Sequence, residues 1–204
     1  MKLLLSITTL VAAISQLSAE SISFDFTDPK GVNTINFHMD APLESTSGHA
    51  KGVSGFIQFD PLDPSKTSGT LQIDTKSLYV ANPRMREHMH GPTWMDVAKH
   101  PDILFTVGSL KNIDTTGNIT TADVSGELTV KGVTRPVNAK ASLTYLKGKL
   151  KARMGPRGPD GDLLVIRTKF SISRTDFGIN DGQLLERVSD EIEISLSIAG
   201  QAPY

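Results

Sequence analysis

Residues 188–198 read Val188-Ser189-Asp190-Glu191-Ile192-Glu193-Ile194-Ser195-Leu196-Ser197-Ile198. Val188, Ile192, Ile194, Leu196 and Ile198 share one parity with Asp190, and the serines and glutamates share the other. Successive side chains of an extended chain point to opposite faces, so this period of two predicts a strand with one dry and one wet side. Working back along the chain, Val137-Ala139-Ala141-Leu143-Tyr145 alternates against Asn138, Lys140, Ser142 and Thr144. Ile166-Thr168-Phe170-Ile172, Val124-Gly126-Leu128-Val130, Ile103-Phe105-Val107, Leu71-Ile73 and Ile35-Phe37-Met39 repeat the pattern. Val53–Phe59 adds an eighth, less regular run, whose glycine predicts a bend. Asp60-Pro61, Thr116-Gly117-Asn118 and Gly132-Val133-Thr134 separate the runs as turns, and residues 155–161 read as a long hairpin tip.

Eight half-buried strands in one domain predict an all-β fold, either a closed antiparallel barrel or a two-sheet sandwich. A barrel of that size is filled by side chains or holds one slim ligand. Gly126, Ala139, Ala141 and Thr168 keep the dry face thin, which favours a cavity over a solid core; the alternative is that facing phenylalanines fill those gaps. The period of two is lost between Ile73 and Phe105. There Asn82-Pro83 reads as an N-cap followed by proline at the first helical position, and Gly91-Pro92 as a stop. Thr93-Trp94-Met95-Asp96 reads as a capping box opening a second short helix. Met85 and Met89, spaced i and i+4, share a helix face, and Trp94 and Met95 follow. Such a flap closes one end of a barrel, where adaptable methionines suit flexible apolar ligands; the same residues serve equally to plug a core.

The composition narrows the function classes. The chain has 204 residues, 21 basic against 22 acidic, and no cysteine. A net charge of −1 gives no electrostatic footprint for nucleic acid or an anionic membrane. Without cysteine there is no disulfide framework, thiolate metal site or cysteine nucleophile. Residues 1–19 read as a secretory signal peptide: Lys2, an uncharged run from Leu3 to Ile14, and a small residue, Ala19, at the cleavage site. That run is too short to span a bilayer. Residues 20–204 then form one exported domain, periplasmic or secreted.

Catalytic signatures are missing. Ser54 lacks the Gly-x-Ser-x-Gly elbow, and no phosphate loop or dinucleotide fingerprint occurs. His88 and His90 point to different sides of a helix, so neither a metal nor a catalytic residue is expected. Asp190, a lone acid on a dry face, is expected at the strand's solvated end or paired with Arg174 or Arg187; it is no evidence of acid–base catalysis.

Three stretches carry a family resemblance. They are Arg86–Met89 with Trp94–Phe105, then Val124–Val137 (VSGELTVKGVTRPV), then Phe170–Ile179 with Val188–Ile192. Their order and spacing resemble the YceI-like lipid/polyisoprenoid-binding family over residues 22–200. The resemblance implies an extended eight-stranded antiparallel, lipocalin-like barrel with a short helical insertion, exported and non-enzymatic. It further implies one long apolar amphiphile enclosed in the barrel: a polyisoprenoid, an isoprenoid quinone or a fatty-acid derivative. No cofactor is expected beyond such a ligand. Because some members are dimers, a homodimer is a further expectation. On this reading Phe37, Phe105, Leu143 and Phe170 line the barrel, and Phe56, Met85, Met89, Trp94 and Met95 stand near its mouth. The competing expectation is an envelope-stress or interaction module with a solid barrel and no lipid.

Overall fold

The computed structural model describes residues 21–204; the signal peptide expected over residues 1–19 lies outside them. Eleven strands form one antiparallel sheet: β1 (Ile22–Asp25), β2 (Thr34–Asp40), β3 (Ser45–Ala50), β4 (Val53–Phe59), β5 (Ser68–Asp74), β6 (Tyr79–Val80), β7 (Asp102–Thr116), β8 (Ile119–Val130), β9 (Val133–Leu146), β10 (Gly161–Ser173) and β11 (Glu191–Pro203). The order β1-β4-β5-β7-β8-β9-β10-β11 closes on itself through the pair Asp25↔Gln201, giving an eight-stranded barrel. β2, β3 and β6 continue the wall beyond β1, β4 and β5, with β2 pairing the first half of β11. The eight expected strands are therefore the eight staves, and three of these staves are broken. Asn33 bridges the first break: its amide donates to the carbonyls of Phe26 and Ala199 and accepts from the Ala199 N–H.

Turn chemistry follows the sequence. Lys131 and Gly132, with φ of 50° and 76°, make the two-residue turn between β8 and β9. Positive φ at both central residues matches the twist of the flanking strands. The helix α1 spans Pro83–His90, with the Asn82 side chain accepting from the N–H groups of Arg84 and Met85 at 3.0 and 3.2 Å. The expected second helix is absent. Asp96 sits at φ 45°, a left-handed conformation that a helix start does not tolerate, and residues 91–100 form a series of turns instead. The expected hairpin tip also differs. It is preceded by a short helix, α2 (Leu150–Met154), which packs on β10 and β11 with Leu150 fully buried.

That end is closed by aromatic packing. Tyr145 meets Phe24 edge-on at 6.2 Å and Phe59 at 6.4 Å between ring centroids. Its hydroxyl donates to Asp162 at 2.6 Å, and Asp162 also accepts from the Tyr204 hydroxyl and the Gly148 N–H. Nearby, Asp28 accepts from the N–H groups of Val32 and Asn33 and from Arg153 at 3.2 Å. Among the described residues no helix is long and apolar enough to cross a membrane.

Candidate functional site, an apolar lumen

Above the aromatic plug the barrel is hollow. A cavity of about 230 Å³ runs inside the wall, and its surface is apolar throughout. The parity read from the sequence decides who faces it: Ile192, Ile194 and Leu196 from β11, Ile166 and Phe170 from β10, Val137, Ala139, Ala141 and Leu143 from β9. Ala139 and Ala141 on β9 leave space that larger side chains would fill, as the thin dry face suggested; the room over Gly126 on β8 is taken by the Phe105 ring.

Seven of the nine expected site residues line this space. Phe37, Phe105, Leu143 and Phe170 stand on the strands, and Met89, Trp94 and Met95 come from α1 and the turns after it. Two do not. Phe56 lies on the outer face of β4, 56% exposed, because the inward positions of that strand are Val53, Ile57 and Phe59, of odd parity. Met85, one helical turn before Met89, is half-buried and rests its sulfur 3.9 Å from the Thr46 hydroxyl, outside the lumen.

Two of the phenylalanines face the lumen across glycines of neighbouring strands. A Cβ on Gly48 would stand 2.2 Å from Phe37 Cζ, and one on Gly126 2.6 Å from Phe105 Cζ. The rings occupy the room that those missing side chains leave, which spares the centre of the lumen. This relation between strands is not visible in the periodicity of any one strand. Aliphatic lining residues such as Ile35, Met39, Val107 and Ile172 likewise read only as core from the sequence.

The end opposite the plug is organised by Arg174. Its side chain is fully buried, yet no carboxylate accepts from it. Nε donates to the Ser189 carbonyl, Nη1 to those of Ile179 and Asn180, and Nη2 to those of Gln183 and Val188. One guanidinium thus ties down the loop of residues 178–190 that covers this end, with Trp94 5.7 Å from the charge. Burial lowers its pKa, opposed by the charges of Asp190 and Asp181. Asp190 itself accepts from the Ser173 hydroxyl and the Thr175 N–H. Burial pushes its carboxyl up, but these hydrogen bonds and the nearby Arg174 outweigh burial and hold it below the ordinary range. Among the described residues no ion pair joins Asp190 to Arg174 or Arg187. β11 begins one residue later, so Asp190 belongs to the loop and not to the dry face of the strand.

His90 is engaged by the Leu78 carbonyl at 2.9 Å and His88 is exposed. No group of three His, Asp or Glu side chains gathers among the described residues. The arrangement is suited to enclosing hydrocarbon: the lumen surface is apolar, and among the described residues the buried side-chain polar atoms are paired except Asn180 Nδ2.

Solved structures share this fold. BcnA of Burkholderia cenocepacia superposes with a TM-score of 0.65 at 20% identity, over 82% of this chain and 95% of that one. The YceI protein of Campylobacter jejuni gives 0.62 at 22% identity, over 77% and 85%. A polyisoprenoid-binding domain from Saccharophagus degradans, implicated in plant cell wall breakdown, gives 0.63 at 15% identity, over 91% and 99%. No curated protein matches the chain. The sequence profile of the YceI-like domain matches residues 19–200, nearly the whole chain, and with the barrel described above it settles the point: the chain belongs to the YceI-like family.

Proposed function

We propose that this protein is an exported, non-enzymatic binder that encloses one long apolar amphiphile in its lumen, in the periplasm or the surrounding medium. The ligand class is a polyisoprenoid, an isoprenoid quinone or a fatty-acid derivative. The observation that carries this reading is the cavity of about 230 Å³ with a wholly apolar surface. Burial of hydrocarbon supplies about 0.8 kcal/mol per CH₂ before ordering costs, so a long chain binds well with few polar contacts. The description of the Saccharophagus degradans domain as polyisoprenoid-binding supports the isoprenoid end of that range. Mass spectrometry of organic extracts from natively purified protein tests it. A stoichiometric isoprenoid, quinone or fatty acyl species is expected; repeated extracts free of lipid, with no uptake of added lipid, would overturn it.

A further inference from the structure

Both ends of the lumen are occupied, yet the wall is incomplete on one side. At one end stand Phe24, Phe59 and Leu164; at the other, Arg174, Phe177 and Met95, all buried. Between β9 and β10 the ladder runs from Leu163↔Leu146 to Lys169↔Lys140 and stops. Both strands continue past that rung. β9 extends back to Val133, held by β8 along its whole length, and β10 extends to Ser173, held by β11. Four residues of each strand, 136–139 and 170–173, thus face each other without a rung, a window roughly 13 Å long at about 3.4 Å per residue.

The window is bounded on all sides. Below, the Thr168 hydroxyl donates to the Lys140 carbonyl at 2.7 Å and caps the last rung. Above, the 3₁₀ turn Thr175–Phe177 packs against β9, and Lys131 Nζ donates to the carbonyls of Thr93 and Gly178. The lips are lumen residues: Val137 and Ala139 on one side, Phe170 and Ile172 on the other. Their outward neighbours Asn138 and Ser171 are exposed.

The edge chemistry says what belongs there. Val130 and Val133 flank the two-residue turn, so odd-numbered residues of β9 direct their backbone groups to β8 and even-numbered ones towards β10. The Lys140 carbonyl, reached by Thr168, agrees with that count. Pro136 is even-numbered, so the N–H it lacks is missing from the open edge. A proline there blunts the edge against an added strand, which would need that donor. A hydrocarbon chain needs none.

Resting on the binding reading above, we propose that the window between β9 and β10 is the lateral port through which the apolar chain of the ligand passes into the lumen, with Val137, Ala139, Phe170 and Ile172 as its sill.

The chain has no cysteine, so an Asn138→Cys/Ser171→Cys double variant carries the only two thiols. These positions stand opposite each other across the window. A short bis-maleimide staples the lips, and the same variant capped with N-ethylmaleimide serves as control. With cis-parinaric acid as fluorescent probe in stopped flow, the staple is expected to slow association and release about tenfold or more, with little change in Kd. Rates within about twofold of the capped control would overturn the port and route the ligand through a barrel end. Absence of probe binding by the unmodified full chain would instead overturn the binding reading, before any staple is applied. Should the double variant not fold, Thr168→Val removes the hydroxyl cap on the last rung. It is expected to speed release about threefold or more, and an unchanged rate overturns the port.

Discussion

The ring of Phe105 on β7 occupies the space over Gly126 on β8, so that a side chain at Gly126 would displace it towards the centre of the lumen. A Cβ there would also meet the Thr106 carbonyl at 2.5 Å. Gly126→Ala is therefore expected to cost about 1–3 kcal/mol and to weaken binding of cis-parinaric acid. Phe105→Leu in the Gly126→Ala background is expected to recover part of both losses. Denaturant unfolding and fluorescence titration of the three variants measure this.

Ala141 faces the lumen from β9 and is the natural place to fill it. In a hollow barrel Ala141→Leu enters existing space, so stability is expected to change by less than about 1.5 kcal/mol while lipid uptake falls at least tenfold. A destabilisation of about 3 kcal/mol with uptake intact would mean that the interior is packed and the ligand sits elsewhere.

Arg174 donates to five main-chain carbonyls, and a lysine has only three donors on one atom. Arg174→Lys keeps the charge yet strands several of those carbonyls, with an expected cost of about 2–4 kcal/mol. The loop it holds should loosen first. Limited trypsin digestion followed by mass spectrometry should show early cleavage after Arg187 in the variant and not in the parent chain.

Acid should weaken the closed end. Burial raises the Asp162 carboxyl, but hydrogen bonds from Tyr145, Tyr204 and the Gly148 N–H outweigh it and leave the folded pKa below the ordinary value. At Asp28 burial is likewise outweighed, by the Asn33 N–H, Arg153 and the Val32 and Lys30 N–H groups. A depressed carboxyl contributes stability that is fully present above its unfolded pKa, about 3.9, and is lost as pH falls through the folded value. Urea midpoints are thus expected to fall steadily below about pH 4. Asp162→Asn should lower the midpoint at neutral pH and flatten the acid limb. Tyr145 moves the other way: burial and Asp162 raise its pKa, so its contribution is held below the ordinary tyrosine pKa and lost as alkali ionises the hydroxyl.

Much of this architecture was legible because burial in a barrel depends on parity, and parity is written in each strand. Ile192, Ile194 and Leu196 face inward as the period of two requires, and Asn82-Pro83 starts α1 as its capping chemistry requires. Phe56 illustrates a misreading of readable evidence: Val53, Ile57 and Phe59 already placed it on the wet side. Other features depend on contacts distant in sequence. β3 is a run of small and polar residues made a strand by its neighbours β2 and β6. Asp96 takes a left-handed conformation that its residue type permits but does not announce. The role of Arg174 comes from carbonyls 5 to 15 residues away, which no spacing rule would have gathered. Seven of the nine expected residues line the lumen, six of them aromatics or methionines, which stand out in a sequence; most of the aliphatic wall resembles any core.

The barrel is joined into a ring by Asp25↔Gln201, a seam between its first strand and its last. Before β11 is in place, β1 and β2 have no partner on that side and the sheet has an open margin. Whatever the lumen holds cannot act as a template for the early strands, because no enclosed space exists until the final stave arrives. Pairings of such long sequence separation also carry a loop-closure cost that slows folding. Loading is therefore a property of the finished ring, and a chain delivered to another compartment N-terminus first would become competent to bind only after delivery was complete.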